Sequence, residues 1–319
     1  MIINNSNKKL LLVIFVLLLI LLTGCSNNNE TSNISKYDLF TDLKIEGPEY
    51  NYPLINAKIT VDDKSSITNR QGKAKFTVLN KKYDIKANTY FDNIKENTYI
   101  KENTTLNLVM PQPSKMNYDL FYNVLFWKGT VNYRWKVEPF KVFFDFSKAP
   151  NDITSQEKDD YITQCMNEIK EWSVLENMSI NRTTESSKSN ITVWVMSDTE
   201  YFNKFPQDDT GIAGRGGPIE SLNGYVIKGA IWVRESNADQ KGVYIHEMGH
   251  VLGFHHPSNL YSTNSVMSYD DTIQANGLTS LDKLLLKLKM SISPMVQYNP
   301  NNTTNINTKK SWSVPIKVK

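Results

Sequence analysis

Eleven consecutive residues, His246-Glu247-Met248-Gly249-His250-Val251-Leu252-Gly253-Phe254-His255-His256, have the types and spacing for metal chemistry, and they hold every histidine of the 319-residue chain. On a helix, residues four apart share a face, so His246 and His250 can offer two imidazole nitrogens to one ion. Glu247 follows the first ligand and can lean over the metal without binding it. The helix axis would carry His256 too far along to join them. Gly253 supplies the turn, since glycine takes the left-handed conformation that ends helices, and the returning chain brings in His256. Three protein ligands and an open fourth position make a catalytic zinc arrangement, whereas structural zinc is closed by four ligands. A bare H-E-x-x-H arises by chance on amphipathic helices, but H-E-x-x-H-x-x-G-x-x-H is far more restrictive. His255 is off the spacing and reads as a neighbour.

Downstream lies Ser265-Val266-Met267-Ser268-Tyr269. With the long histidine motif, this resembles the metzincin metalloproteases, in which a Met-turn places a methionine beneath the metal. The resemblance implies one catalytic Zn2+, held by His246, His250 and His256, with Glu247 as general base and Met267 in the Met-turn. Tyr269 matches the tyrosine that astacin-like and serralysin-like members hold near zinc, and matrixin-like members generally lack it. The segment Asp208 to Pro218 corresponds to the matrixin edge strand, where an extended peptide can add itself by backbone hydrogen bonds, with Ile212, Ala213 and Gly214 as its candidates. A glycine-rich loop is the other reading of that run. Asp208 and Asp209 are compatible with structural Ca2+ or with a solvated turn, and no calcium site is assigned.

Several elements must position these residues. Val137 to Asp145 reads as a strand, with Pro139 at an edge or a strand start. Thr154-Ser155-Gln156-Glu157 is a capping box, opening a helix whose Ile162, Cys165, Met166, Ile169 and Trp172 share a face. Asn190 to Val195 and Gly224 to Val233 read as further strands. Ser236 to Asp239 offers caps for the histidine helix, and Leu278 to Met290 reads as an amphipathic helix begun by Thr279 or Ser280. This order resembles the metzincin upper subdomain, nearest the matrixins. The fold class expected is α+β, a twisted mixed sheet with zinc helix, Met-turn and C-terminal helix, preceded by an all-β sandwich.

The sandwich rests on period-two alternation in Ala57 to Val61, Lys75 to Val78, Tyr83 to Ala87 and Leu106 to Met110, separated by turn groups such as Asn69-Arg70-Gln71-Gly72. These segments resemble the small β-sandwich domains that accompany carboxypeptidases and many bacterial surface proteins. Such a module can bind a ligand or act as a spacer.

At the start, Lys8 and Lys9 precede the apolar run Leu10 to Leu22 and then Thr23-Gly24-Cys25. Thirteen residues fall short of the ~20 a membrane helix needs. The pattern resembles a bacterial lipoprotein signal peptide, cleaved before a lipid-modified Cys25, with a short uncleaved anchor as the alternative. The expected organisation is leader 1–24, tether 25–36, sandwich 37–112, linker 113–132, zinc protease domain 133–295 and disordered tail 296–319. Two acyl chains would hold the protein on the outer face of the cell membrane.

Loss of the leader takes the net charge from +3 to +1, which implies no nucleic-acid partner. Cys165 then remains the lone thiol, so no intramolecular disulfide can form. The chain is read as a monomeric zinc endopeptidase acting on extended protein or peptide substrates. The alternative is a catalytically silent binding lipoprotein on the same scaffold, which would be expected to lose Glu247 first. Cys25→Ser is expected to move the protein from the membrane fraction to the medium or leave it uncleaved, and equal fatty-acid labelling of wild type and variant would contradict the lipid site.

Overall fold

The computed structural model describes residues 35–47, 51–113, 120–125, 132–136, 138–223, 225–257 and 263–294. The leader, Cys25, most of the tether, most of the linker and the tail from 296 lie outside the described residues.

Eight strands come first: β1 Lys36–Glu46, β2 Asn51–Pro53, β3 Lys58–Val61, β4 Lys64–Ile67, β5 Lys73–Leu79, β6 Lys81–Asn88, β7 Asn93–Ile100 and β8 Thr104–Met110. They form two four-stranded sheets, β2-β1-β5 with β8 alongside β1, and β4-β3-β6-β7. Alternation sets which face is inside: Lys73–Leu79 reads exposed and buried by turns, and Ala74, Phe76 and Val78 join Leu39, Leu43, Ile59 and Ile85 in a common core. β7 escapes sequence reading because only three of its residues, Ile94, Tyr99 and Ile100, are apolar.

The second half builds a six-stranded sheet from β9 Arg134–Trp135, β10 Phe140–Asp145, β11 Ile180–Arg182, β12 Ile191–Met196, β13 Gly214–Leu222 and β14 Tyr225–Arg234. Its order is β11-β10-β12-β14-β13, with β9 on β14, and every pair is parallel except β13–β14. Pro139 therefore marks the start of an internal strand. The helices are α1 Ser155–Lys170, α2 Asp198–Lys204, α3 Val243–Val251, α4 Asp271–Ala275 and α5 Ser280–Ser291.

Strands take 38% of the described residues and helices 24%, so the chain is predominantly β, which corrects the α+β expectation. The physical reason is that the helices of the second half are short. Its sheet is wider than the periodicity suggests, because β9 and β11 are two and three residues long and carry no readable pattern. The halves meet where the end of α5 pairs with the region after β2, through Ile55 N to Ser291 O at 2.8 Å and Ser293 N to Pro53 O at 3.2 Å.

α1 begins as its capping box requires, with Thr154 Oγ1 accepting from Glu157 N and the Glu157 carboxylate accepting from Thr154 N. Its buried face, Ile162, Cys165, Met166 and Ile169, packs toward α3. The cap of α3 corrects the sequence expectation. Ser236 and Asn237 lie in a separate helical turn, and Gly242 occupies the cap position without a side-chain bond. Glu168 of α1 does the work instead, its carboxylate accepting from Gly242 N, Tyr244 N and Ile245 N at 3.1, 3.1 and 3.2 Å. An acid also complements the positive end of the helix dipole. Trp172 Nε1 donates to Ile245 O and Trp135 Nε1 to Val251 O, fixing α3 from both sides. Glu168→Ala strands three donors and is expected to cost about 1–3 kcal/mol in denaturant unfolding; an unchanged midpoint would contradict the capping role.

Candidate metal centre

α3 carries His246 and His250 on one face, their ring centroids 4.9 Å apart. The helix stops after Val251, and Gly253 takes φ +87°, where a Cβ would lie 2.3 Å from Tyr133 O. Glycine is required there both for the turn and for the close approach. The chain then returns so that a ligand atom from each of His246, His250 and His256 lies within 4.8 Å of the others. His255 stays outside this group, its backbone N–H donating to Val124 O at 3.1 Å.

Two backbone carbonyls settle the tautomers. A carbonyl only accepts, so His246 Nδ1 donates to Val266 O at 2.6 Å, with Gln274 Nε2 also 3.0 Å from that ring nitrogen, and His250 Nδ1 donates to Phe254 O at 2.9 Å. Each Nε2 is thereby left with its lone pair. His256 Nε2 sits 2.8 Å from His250 Nε2, and a cation between the rings would replace the hydrogen they share. Burial lowers the proton affinity of His250 to about 3, with His246 adding to the effect, and lowers that of His255 and His256 further. Neutral imidazoles are the form that binds metal. Three imidazole donors and no thiolate suit a zinc ion.

Glu247 is buried, and its Oε2 has no hydrogen-bond partner among the described residues. Desolvation pushes its carboxyl up to about 8, Arg215 opposes the shift and Asp208 adds to it. A buried carboxyl without a partner is costly, and such groups concentrate where chemistry is done. Arg215 is held by a buried ion pair with Asp208, through Nε to Oδ2 at 2.6 Å and a second contact from Nη2 to Oδ1. Tyr201 also donates to Asp208, at 3.1 Å. Asp208 is thus buried and committed to the Arg215 guanidinium, while Asp209 Oδ1 accepts from Gly211 N in a local turn.

Met267 is buried against the other side of α3. A Cβ on Gly249 would stand 2.2 Å from its sulfur, which is why the residue before His250 is glycine. Asp282 of α5 holds this turn: buried, it accepts from Ser265 Oγ, from Val266 N at 3.2 Å, and from Thr279 N and Oγ1 at 2.9 and 2.7 Å. One carboxylate therefore caps α5 and fixes the segment whose carbonyl orients His246. Tyr269 stands edge-on to His256, centroids 4.3 Å apart.

His246, Glu247, His250, His256, Arg215 and Tyr269 face a cleft of about 370 Å³. Ile212, Ala213 and Gly214 line it, but only Gly214 belongs to β13, the edge strand, and the other two precede it. β13 crosses directly over α3, since a Cβ on Gly216 would lie 2.0 Å from Glu247 O. Glu168, Asp282, Gln274 and the Asp208–Arg215 pair were not legible as site residues. Only Asp282 left a local signal, at the third position after the Thr279 cap.

No family model and no curated protein matches the chain. Among solved structures, a DUF3823 family protein from Parabacteroides merdae is similar at 13% identity and a TM-score of 0.20, over 24% of this chain and 46% of that one. The chain thus spans less than half the length of that protein.

Gly249→Ala drives a methyl into Met267 and is expected to cost about 1–3 kcal/mol, as overpacking does. Met267→Ala in the same chain should recover part of the loss in denaturant unfolding. A fully additive double variant would show that the two side chains do not compete.

Proposed function

We propose that this protein is a zinc-dependent endopeptidase that hydrolyses peptide bonds of extended protein or peptide substrates. The observation that carries the reading is the convergence of three imidazole nitrogens beside the unpartnered, buried Glu247 carboxylate, all facing a cleft edged by β13. The motif resemblance to the metzincins supports the same reaction, and so does the presence of Glu247, which a silent scaffold has no reason to keep. With Cys25 lipidated, the enzyme works tethered on the outer face of a bacterial membrane.

His246, His250 and His256 would hold the ion. Zinc, when bound, supplies a Lewis acid that acidifies water and polarises a carbonyl. Glu247 takes the proton from the attacking water at its carboxylate and passes it to the leaving amine nitrogen. Burial raises the proton affinity of that carboxylate above that of an exposed glutamate, which strengthens it as a base. Tyr269, over His256 and on the cleft wall, is placed to donate its hydroxyl to the oxyanion that forms at the substrate carbonyl. The free edge of β13 offers backbone groups to an extended substrate, which aligns the peptide by strand addition.

Glu247→Gln removes the base and leaves the three ligands. The metal-loaded variant is expected to keep its fold and metal content and to lose ~10²–10⁴-fold in kcat, the range for a positioned acid/base. Wild-type turnover by that variant in steady-state kinetics would overturn the assignment.

A further inference from the structure

Gln240, Val243 and Gln274 line the cleft at the end where α3 begins, Gln274 packing against Gly242, on which a Cβ would lie 2.7 Å from the Gln274 Cβ. Val243, the first residue of α3, gives an apolar floor. Gln274 Nε2 donates to Ser268 O at 2.6 Å and also lies 3.0 Å from His246 Nδ1, and because a carbonyl cannot donate back, the amide orientation is fixed. Gln274 Oε1 then points away from that bond, and nothing among the described residues donates to it. Gln240 is oriented in turn by Asn237 Nδ2, which donates to its Oε1 at 3.2 Å, while Gln164 Nε2 donates to its backbone oxygen at 3.1 Å. Gln240 Nε2 has no acceptor among the described residues. Neither Gln274 Oε1 nor Gln240 Nε2 is sealed from solvent. The end of the cleft thus presents one acceptor and one donor above an aliphatic surface.

We propose that this end receives a carboxamide side chain, glutamine or asparagine, of the substrate residue next to the bond to be cut. The inference rests on the peptidase reading above. A carboxamide is the complement of the pair: its NH2 donates to Gln274 Oε1, its oxygen accepts from Gln240 Nε2, and its methylenes lie on Val243. A glutamate of the same shape has no hydrogen to give Gln274, and no lysine lines the cleft to receive its charge. Arg215, the cation of the lining, is tied to Asp208. A leucine would cover both amides and satisfy neither.

The zinc-loaded full chain, given a peptide library randomised on both sides of the cleaved bond, is expected to enrich glutamine or asparagine at one flanking position. Matched peptides carrying glutamine, glutamate or leucine there should differ by about 10-fold to 100-fold in kcat/KM in favour of glutamine, the worth of two neutral hydrogen bonds. Gln240→Leu, checked for retained metal and fold, should bring leucine level with or above glutamine. Preference for leucine or glutamate by the wild type overturns the subsite and leaves the peptidase reading standing. The same holds if Gln240→Leu keeps the glutamine preference. Failure to cleave any library member overturns both.

Discussion

Val266 O and Phe254 O accept the Nδ1 hydrogens of His246 and His250 at 2.6 and 2.9 Å, and the rest of the site is arranged to keep those two carbonyls in place. An imidazole that can rotate or change tautomer is a poor ligand, and second partners of this kind fix both ring orientation and the free lone pair. The Phe254 carbonyl is where it is because Gly253 reverses the chain. The Val266 carbonyl is where it is because Asp282 grips Ser265 and Val266 from α5. α3 itself is held by Glu168 at its start and by two tryptophan N–H groups along its length. The histidine cluster is therefore a property of three helices and a turn and not of the histidine motif alone.

The same burial that orients the histidines raises the proton affinity of Glu247. A carboxyl sealed among β13, α3 and the Arg215–Asp208 pair loses water, and Arg215 returns only part of that stabilisation because Asp208 already neutralises it. Were Arg215 unpaired, its full charge would favour the ionised Glu247 and weaken it as a base. Asp208 is thus a counter-ion whose effect is felt at Glu247.

The histidine cluster, the glycine turn and the position of Met267 were legible in the sequence because each depends on local spacing. Helix α1 and its capping box were legible for the same reason, as were the alternating strands β3, β5, β6 and β8. What depends on contact across distance was not. Glu168 looks like any exposed helix acid, yet it caps a helix more than seventy residues away. The glycines of β13 read equally well as a loop or as a substrate edge, and only the packing of Gly216 on the Glu247 backbone explains one of them. The predominantly β character was missed because β1 and β7 were not read as strands, β7 having few apolar residues, and because the short β2, β4, β9 and β11 exist only through their neighbours.

The central claim is that one zinc ion sits among three imidazoles with a position left open. X-ray absorption at the zinc edge of the purified protein tests it most directly. The account predicts one zinc per chain with three imidazole nitrogens and one oxygen at ~2.0–2.1 Å and no sulfur, since Cys165 is buried in α1. A shell containing sulfur, or a folded protein that takes up no zinc, would contradict it.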